Sequence, residues 1–135
     1  NANSDQIIFT KGATESINLV ATNIGKQLTS NDSILVTQLE HHANLLPWQQ
    51  LSQQIGAKIN IIPIDQKGEL DLSQVEKFLA DNCKIFAEMV FKFPYCQMIF
   101  SKFENSKIAF GKWSSSNRGS FKVLLLIKKV SKIYF

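Results

Sequence analysis

Gln6-Ile-Ile-Phe-Thr-Lys-Gly-Ala-Thr-Glu-Ser-Ile-Asn-Leu-Val-Ala-Thr-Asn-Ile-Gly25 reads as a strand, a tight turn and a helix in immediate succession. Residues 6–10 are a short apolar run rich in β-branched side chains, which predicts a buried strand. Ile17, Val20, Ala21 and Ile24 then recur at helical spacing until Gly25, a residue suited to a left-handed C-terminal cap. The turn between the two elements carries Gly12, Ala13, Thr14 and Glu15.

The same alternation continues outward from this stretch. Ser33-Ile-Leu-Val-Thr37 predicts a second strand, followed by the polar corner Glu40-His41-His42 and a helix through Leu51 and Ile55 that stops at Gly56. Residues 58–64 predict a third strand, closed by the turn Asp65-Gln66-Lys67-Gly68. Ser73-Gln-Val-Glu76 has the form of a capping box, with a helix through Phe78 and Leu79 expected behind it. Strands separated by helices of this length imply right-handed crossovers, hence an α/β fold with a mainly parallel sheet covered by helices on both faces. Such sheets place ligands at the C-terminal ends of their strands. Segments 11–15 and 40–44 both lie just past strand ends, so they are expected to be neighbours in space.

A length of 135 residues and 44% apolar content suit one domain with its own core. No stretch approaches the roughly 20 apolar residues of a membrane-spanning helix, and Asn1-Ala2-Asn3-Ser4 lacks the pattern of a signal segment. The expectation is a cytoplasmic protein with Cys83 and Cys96 as reduced thiols. Charge is divided unevenly: residues 1–84 carry six lysines against nine acids, net −3, whereas residues 85–135 carry eight lysines and Arg118 against Glu88 and Glu104, net +7. Eight of the ten phenylalanines also fall in that last stretch. Residues 84–91 fit one more strand, after which no period emerges. Residues 123–127, flanked by Lys122, Lys128 and Lys129, read either as a strand or as an aggregation-prone segment with basic gatekeepers.

Two segments carry chemistry. A helix N-terminus preceded by glycine offers unpaired N–H groups and a favourable dipole to an anion, and Thr14 adds a hydroxyl there. The alternative is that Thr14 only caps its own helix. At Glu40-His41-His42-Ala43-Asn44, two histidines fall short of the three or four convergent ligands of a zinc site. One imidazole can instead lie over an aromatic cofactor and move protons near neutral pH; the other reading is a surface or helix-capping pair.

Taken together, Ile8-Phe-Thr-Lys-Gly-Ala-Thr-Glu-Ser-Ile-Asn-Leu-Val-Ala21 and Glu40-His-His-Ala-Asn-Leu-Leu-Pro-Trp-Gln49 resemble, in order and spacing, the hallmarks of the cysteine desulfurases. These are pyridoxal-phosphate (PLP) enzymes of the class V aminotransferase-like family that mobilise sulfur for iron–sulfur cluster assembly. Gly56-Ala57-Lys58, Ile62-Pro63-Ile64 and Gly68-Glu69-Leu70-Asp71-Leu72 continue the resemblance, which spans about residues 5 to 84. It implies part of the large domain of a fold-type I PLP-dependent transferase, with the C-terminal third irregular or non-native. By the same resemblance, His41 is the catalytic histidine that stacks on the cofactor ring. Thr14 and the N–H of Ala13 hold the phosphate, with Ala13 standing where this subgroup usually has threonine. His42, Asn44 and Trp48 hold the corner. The implied reaction takes sulfur from L-cysteine, leaving L-alanine and an enzyme persulfide, with selenocysteine lyase activity as a close variant. A sulfur-acceptor protein and a second copy of the chain are the implied partners.

The family also needs a lysine to hold the cofactor, an aspartate at the pyridine nitrogen and a low-pKa thiol. None is assignable here: no Asp or His follows Lys84, and Phe110-Gly-Lys-Trp113 shares only Gly-Lys with the family's lysine segment. The chain is therefore expected to divide into a partial PLP-binding domain over 1–84 and a divergent basic, Phe-rich tail over 85–135, translated out of frame or joined to unrelated sequence. The fragment is expected to be inactive by itself. The alternative is a non-catalytic basic protein on a degraded enzyme scaffold that binds nucleic acid or an acidic membrane.

Overall fold

Ser33-Ile-Leu-Val-Thr37 has no polar alternation because both of its faces are covered: all five residues are buried in strand β1 (Ser33–Thr37). The computed structural model of the chain describes residues 8–90, 107–114 and 120–127, with side chains described for 8–89. Around β1 stand helix α1 (Ala13–Gly25), helix α2 (His42–Ile55), strand β2 (Lys58–Ile62), a 3₁₀ turn (Leu72–Gln74), helix α3 (Val75–Ala80) and strand β3 (Cys83–Val90). β1 pairs in parallel with β2 from Ser33↔Lys58 to Thr37↔Ile62, and with β3 from Ser33↔Cys83 to Val36↔Ala87. The expected α/β architecture and its parallel sheet are therefore present.

Side chains alternate across the sheet as the two-residue period of a strand requires. Ile34 and Val36 of β1, with Ile85, Ala87 and Met89 of β3, form one cluster with Ile17, Val20, Ala21 and Ile24 of α1 and Trp48 and Leu51 of α2. Leu35 and Phe86 point the other way, into a second cluster with Ile62, Val75 and Cys83, against which Phe78 and Leu79 of α3 pack. Helices thus cover both faces. At the N-terminal edge, Lys58 pairs with Asp81, and Asn82 Nδ2 bonds Asn31 O at 2.8 Å and Asp32 Oδ1 at 3.1 Å.

Beyond residue 84 the sheet goes on. β3 runs through residue 90, and Ile85, Phe86 and Ala87 are fully buried, so the parallel core extends past the boundary expected at 84/85. Strand β4 (Lys107–Ser114) and strand β5 (Ser120–Ile127) add an antiparallel pair, with β5 against β3 from Ile85↔Ile127 to Val90↔Lys122. The sheet order is β2-β1-β3-β5-β4. The run 123–127 is thus part of a strand rather than a loose apolar segment.

Three local expectations are corrected. Of the strand expected over 6–10, residues 6 and 7 lie outside the described residues, and 8–10 are not a strand; Ile8 is 45% and Phe9 95% exposed. Among the described residues no strand lies beside them to take their backbone groups, and an apolar run without a pairing partner is not held extended. The cap of α1 is not left-handed either: Lys26 closes the helix with φ −66° and ψ −15°. Gly25 serves packing instead, since a Cβ there would stand 2.3 Å from Leu51 Cδ1 on α2. Ser73 is not the N-cap of α3: it lies inside the 3₁₀ turn, where Asp71 Oδ1 accepts from Ser73 N at 3.0 Å, and the N-cap of α3 is Gln74. Gly56, by contrast, closes α2 in the left-handed conformation at φ 76°.

Gly25→Ala should therefore destabilise the fold by about 1–3 kcal/mol through overpacking, although alanine is the better helix former by about 1 kcal/mol. Thermal unfolding checks this. An unchanged or raised midpoint would show that Leu51 yields without cost.

Candidate functional site

The C-terminal ends of the three parallel strands are tied together by the short segment that follows β1. Gln38 N donates to Ile62 O at 2.9 Å, and Gln38 Oε1 accepts from Ile64 N at 3.0 Å, which fastens the segment to the end of β2. Glu40 fastens it to everything else. Its Oε1 accepts from Thr37 Oγ1 at 2.6 Å, and its Oε2 accepts from Asn44 Nδ2 and from Met89 N, both at 2.7 Å. One carboxylate thus joins the end of β1, the first turn of α2 and the end of β3. Asn44 passes the connection inward, its Oδ1 accepting from Trp48 Nε1 at 3.2 Å, with both side chains fully buried.

Burial pushes the Glu40 carboxyl above the ordinary carboxylate range. The hydrogen bonds from Thr37, Asn44 and Met89 pull it back only in part, and nearby Glu88 adds to the rise.

His41 is the N-cap of α2, with φ −66° and ψ 145°. Its Nδ1 accepts from Ala43 N at 3.1 Å, so the neutral ring carries its proton on Nε2. The ring is exposed, and His42, the first residue of α2 and also exposed, stands edge-on to it at 6.1 Å between centroids. Asn44 and Trp48 hold the corner from inside, whereas His42 faces solvent.

The turn before α1 is built from its own side chains. Thr10 Oγ1 and Ser16 Oγ lie 2.6 Å apart, each within 3.2 Å of Gly12 O, and Lys11 N donates to Glu15 Oε2 at 2.5 Å. The N-cap is Gly12, which provides no side-chain cap. Ser16 N closes the first intrahelical bond to Gly12 O at 3.1 Å, so the N–H groups of Ala13 and Thr14 have no helical acceptor. Thr14 is exposed at the second helical position, which removes the reading that it caps the helix. Ala13 is half-buried and packs against the core cluster of α1 and α2.

His41 and the Ala13–Thr14 pair thus open two adjacent helices, while the described hydrogen bonds of each segment remain separate. The residue to which pattern reading assigned no role of its own is Glu40. A Glu four residues ahead of Asn44 hints at a helix-start contact. Its third partner, Met89, is 49 residues away and invisible to any local pattern.

The profile of the aminotransferase class-V family matches residues 1–92. The chain is 46% identical over 85 residues to a cysteine desulfurase of Synechococcus elongatus, covering 62% of this chain and 14% of that protein. The structure resembles a cysteine desulfurase of Thermococcus onnurineus, with TM-score 0.56 and 43% identity over 62% of this chain and 20% of that one. It also resembles a cysteine desulfurase of Escherichia coli, with TM-score 0.53 and 37% identity over 57% of this chain and 20% of that one. The matched region is thus about a fifth or less of these relatives' length.

Proposed function

The chain belongs to the aminotransferase class-V family, and on that premise we propose that residues 8–90 are part of the PLP-binding large domain of a cysteine desulfurase. The reaction proposed takes sulfur from L-cysteine and leaves L-alanine and a persulfide on an enzyme cysteine, for delivery to an acceptor protein in iron–sulfur cluster assembly. What carries the reading is His41: an exposed imidazole at the C-terminal side of a parallel sheet, its tautomer set by Ala43 N.

The residues present fit the cofactor. The α1 N-terminus starts without a side-chain cap and offers the N–H groups of Ala13 and Thr14 with the exposed Thr14 hydroxyl, the donor set that a phosphate monoester takes. When bound, PLP supplies an electron-withdrawing ring that stabilises negative charge beside the substrate nitrogen. Ala13 and Thr14 would hold its phosphate. His41 would lie against the ring, with Nε2–H free to move a proton because Nδ1 is engaged with the helix.

The 135 residues alone do not turn over cysteine: no Asp or His follows Lys84, and Cys83 is buried rather than presented as a nucleophile. The charge and Phe content change at about residue 85, and a shifted reading frame or a junction is proposed to begin beyond that point. Sequencing the coding DNA across codon 84 and beyond should restore, in another frame, a motif with the family's aspartate and one with its cofactor lysine. An unbroken frame with no such motif would leave the tail genuine. The full protein is proposed to be a cytoplasmic homodimer, by the same family resemblance.

Thr14→Ala, made in a full-length relative, should weaken PLP affinity about ten- to a hundredfold, the value of one hydrogen bond to a charged group, and leave stability unchanged. Absorbance titration of the apoenzyme reads the affinity; wild-type affinity would remove Thr14 from the phosphate site. His41→Ala should reduce sulfide release about a hundredfold or more, on the scale of a lost proton-transfer group. Unchanged release would take His41 out of the reaction.

A further inference from the structure

We propose that Glu40 is the positioning residue for His41: its carboxylate, held between Thr37, Asn44 and Met89 N, fixes the start of α2 and with it the imidazole at the C-terminal edge of the sheet. The inference deepens the reading of His41 as a cofactor-stacking residue and rests on it for its functional meaning.

The geometry is specific to the neighbouring residue. His41 follows Glu40 directly and sits in extended conformation before the helix, where no intrahelical bond fixes its backbone N–H. Its only described side-chain bond runs forward to Ala43 N. The backward tie to the sheet is therefore supplied by Glu40, whose three donors come from β1, α2 and β3 and so triangulate the corner. Asn44 secures the same corner from below, through Trp48 and through its own N–H to His41 O at 2.8 Å. A carboxylate that only filled space would not need acceptor directions matched to three separate elements.

Glutamine is the informative replacement. Its amide oxygen can take the place of Oε2 and accept from Asn44 and Met89, while its NH₂ donates to the Thr37 hydroxyl, which accepts as readily as it donates. Glu40→Gln thus keeps the position and removes the charge. Glu40→Ala removes both.

The readout is the ¹⁵N spectrum of the His41 ring in the full chain, without cofactor, because the tautomer reports whether Nδ1 still accepts from Ala43 N. Wild type and Glu40→Gln are expected to show one Nε2–H tautomer. Glu40→Ala is expected to lose that signature and average between the two tautomers while its circular dichroism remains that of a folded α/β protein. A role limited to stability would lower the unfolding midpoint and leave the His41 spectrum as it is. That result, or failure of Glu40→Gln to rescue the signature, overturns the proposal. Should Glu40→Ala not fold, Glu40→Asp carries the same test, since an arm one methylene shorter cannot reach Thr37 and Met89 together. A wild-type His41 spectrum in Glu40→Asp also overturns it. Failure of the wild-type chain to bind PLP would count against the desulfurase reading alone, leaving the positioning result to stand on the spectra.

Discussion

Trp48→Ala is expected to cost about 3–5 kcal/mol of unfolding free energy, the range for removing a large aromatic side chain from a close-packed core. Trp48 is fully buried in the cluster that joins α1, α2, β1 and β3, so no solvent reaches the space it leaves. The substitution also takes the indole donor from Asn44 Oδ1, and Asn44 is itself fully buried and bonded to Glu40. Trp48→Phe separates the two effects. It keeps most of the aromatic body, and about 1–2 kcal/mol of loss is expected from the stranded amide oxygen and the unfilled volume. Urea unfolding of both variants measures this. A Trp48→Phe protein as stable as its parent would show that the indole hydrogen bond contributes nothing to the corner.

Glu40→Ala is expected to lose about 2–4 kcal/mol, because it strands the N–H of buried Met89 and the amide of buried Asn44, each costing about 1–3 kcal/mol when left without an acceptor. Glu40→Gln should behave in the opposite sense at neutral pH. The folded-state pKa of Glu40 is raised above its ordinary value of 4.5. Its contribution to stability is therefore fully present below about pH 4.5 and is lost as pH rises through the folded value. Glutamine does not titrate, so the stability difference between Glu40→Gln and the parent should grow in favour of the variant from about pH 4.5 upward. A difference that stays flat between pH 4 and 8 would show that burial of this carboxylate carries no net cost.

The arrangement of elements was legible wherever burial repeats with a local period. Ile17, Val20, Ala21 and Ile24 gave α1; the apolar run Ile34-Leu35-Val36 within residues 33–37 gave a strand; Gly56 marked the end of α2. Legibility failed where the partner is distant in sequence. Residues 8–10 look like a strand by composition, but composition does not supply the neighbouring strand that pairing needs. Gly25 has the signature of a cap and is instead the point where Leu51 approaches α1. The candidate site divides in the same way. His41, Ala13 and Thr14 were found from the resemblance of whole motifs, since an isolated helix start or histidine pair has several commoner uses. Glu40 was missed because its role is defined by Met89, which no spacing rule connects to it.

The measurement that bears most directly on the proposed function is a titration of PLP into the ¹⁵N-labelled chain, following backbone amides and the His41 ring. Saturable shifts at Ala13, Thr14 and His41 are expected, reduced at the first two in Thr14→Ala. Shifts confined to lysines of the basic C-terminal stretch, with Ala13, Thr14 and His41 unmoved, would contradict the assignment of the α1 and α2 N-termini as the cofactor cradle.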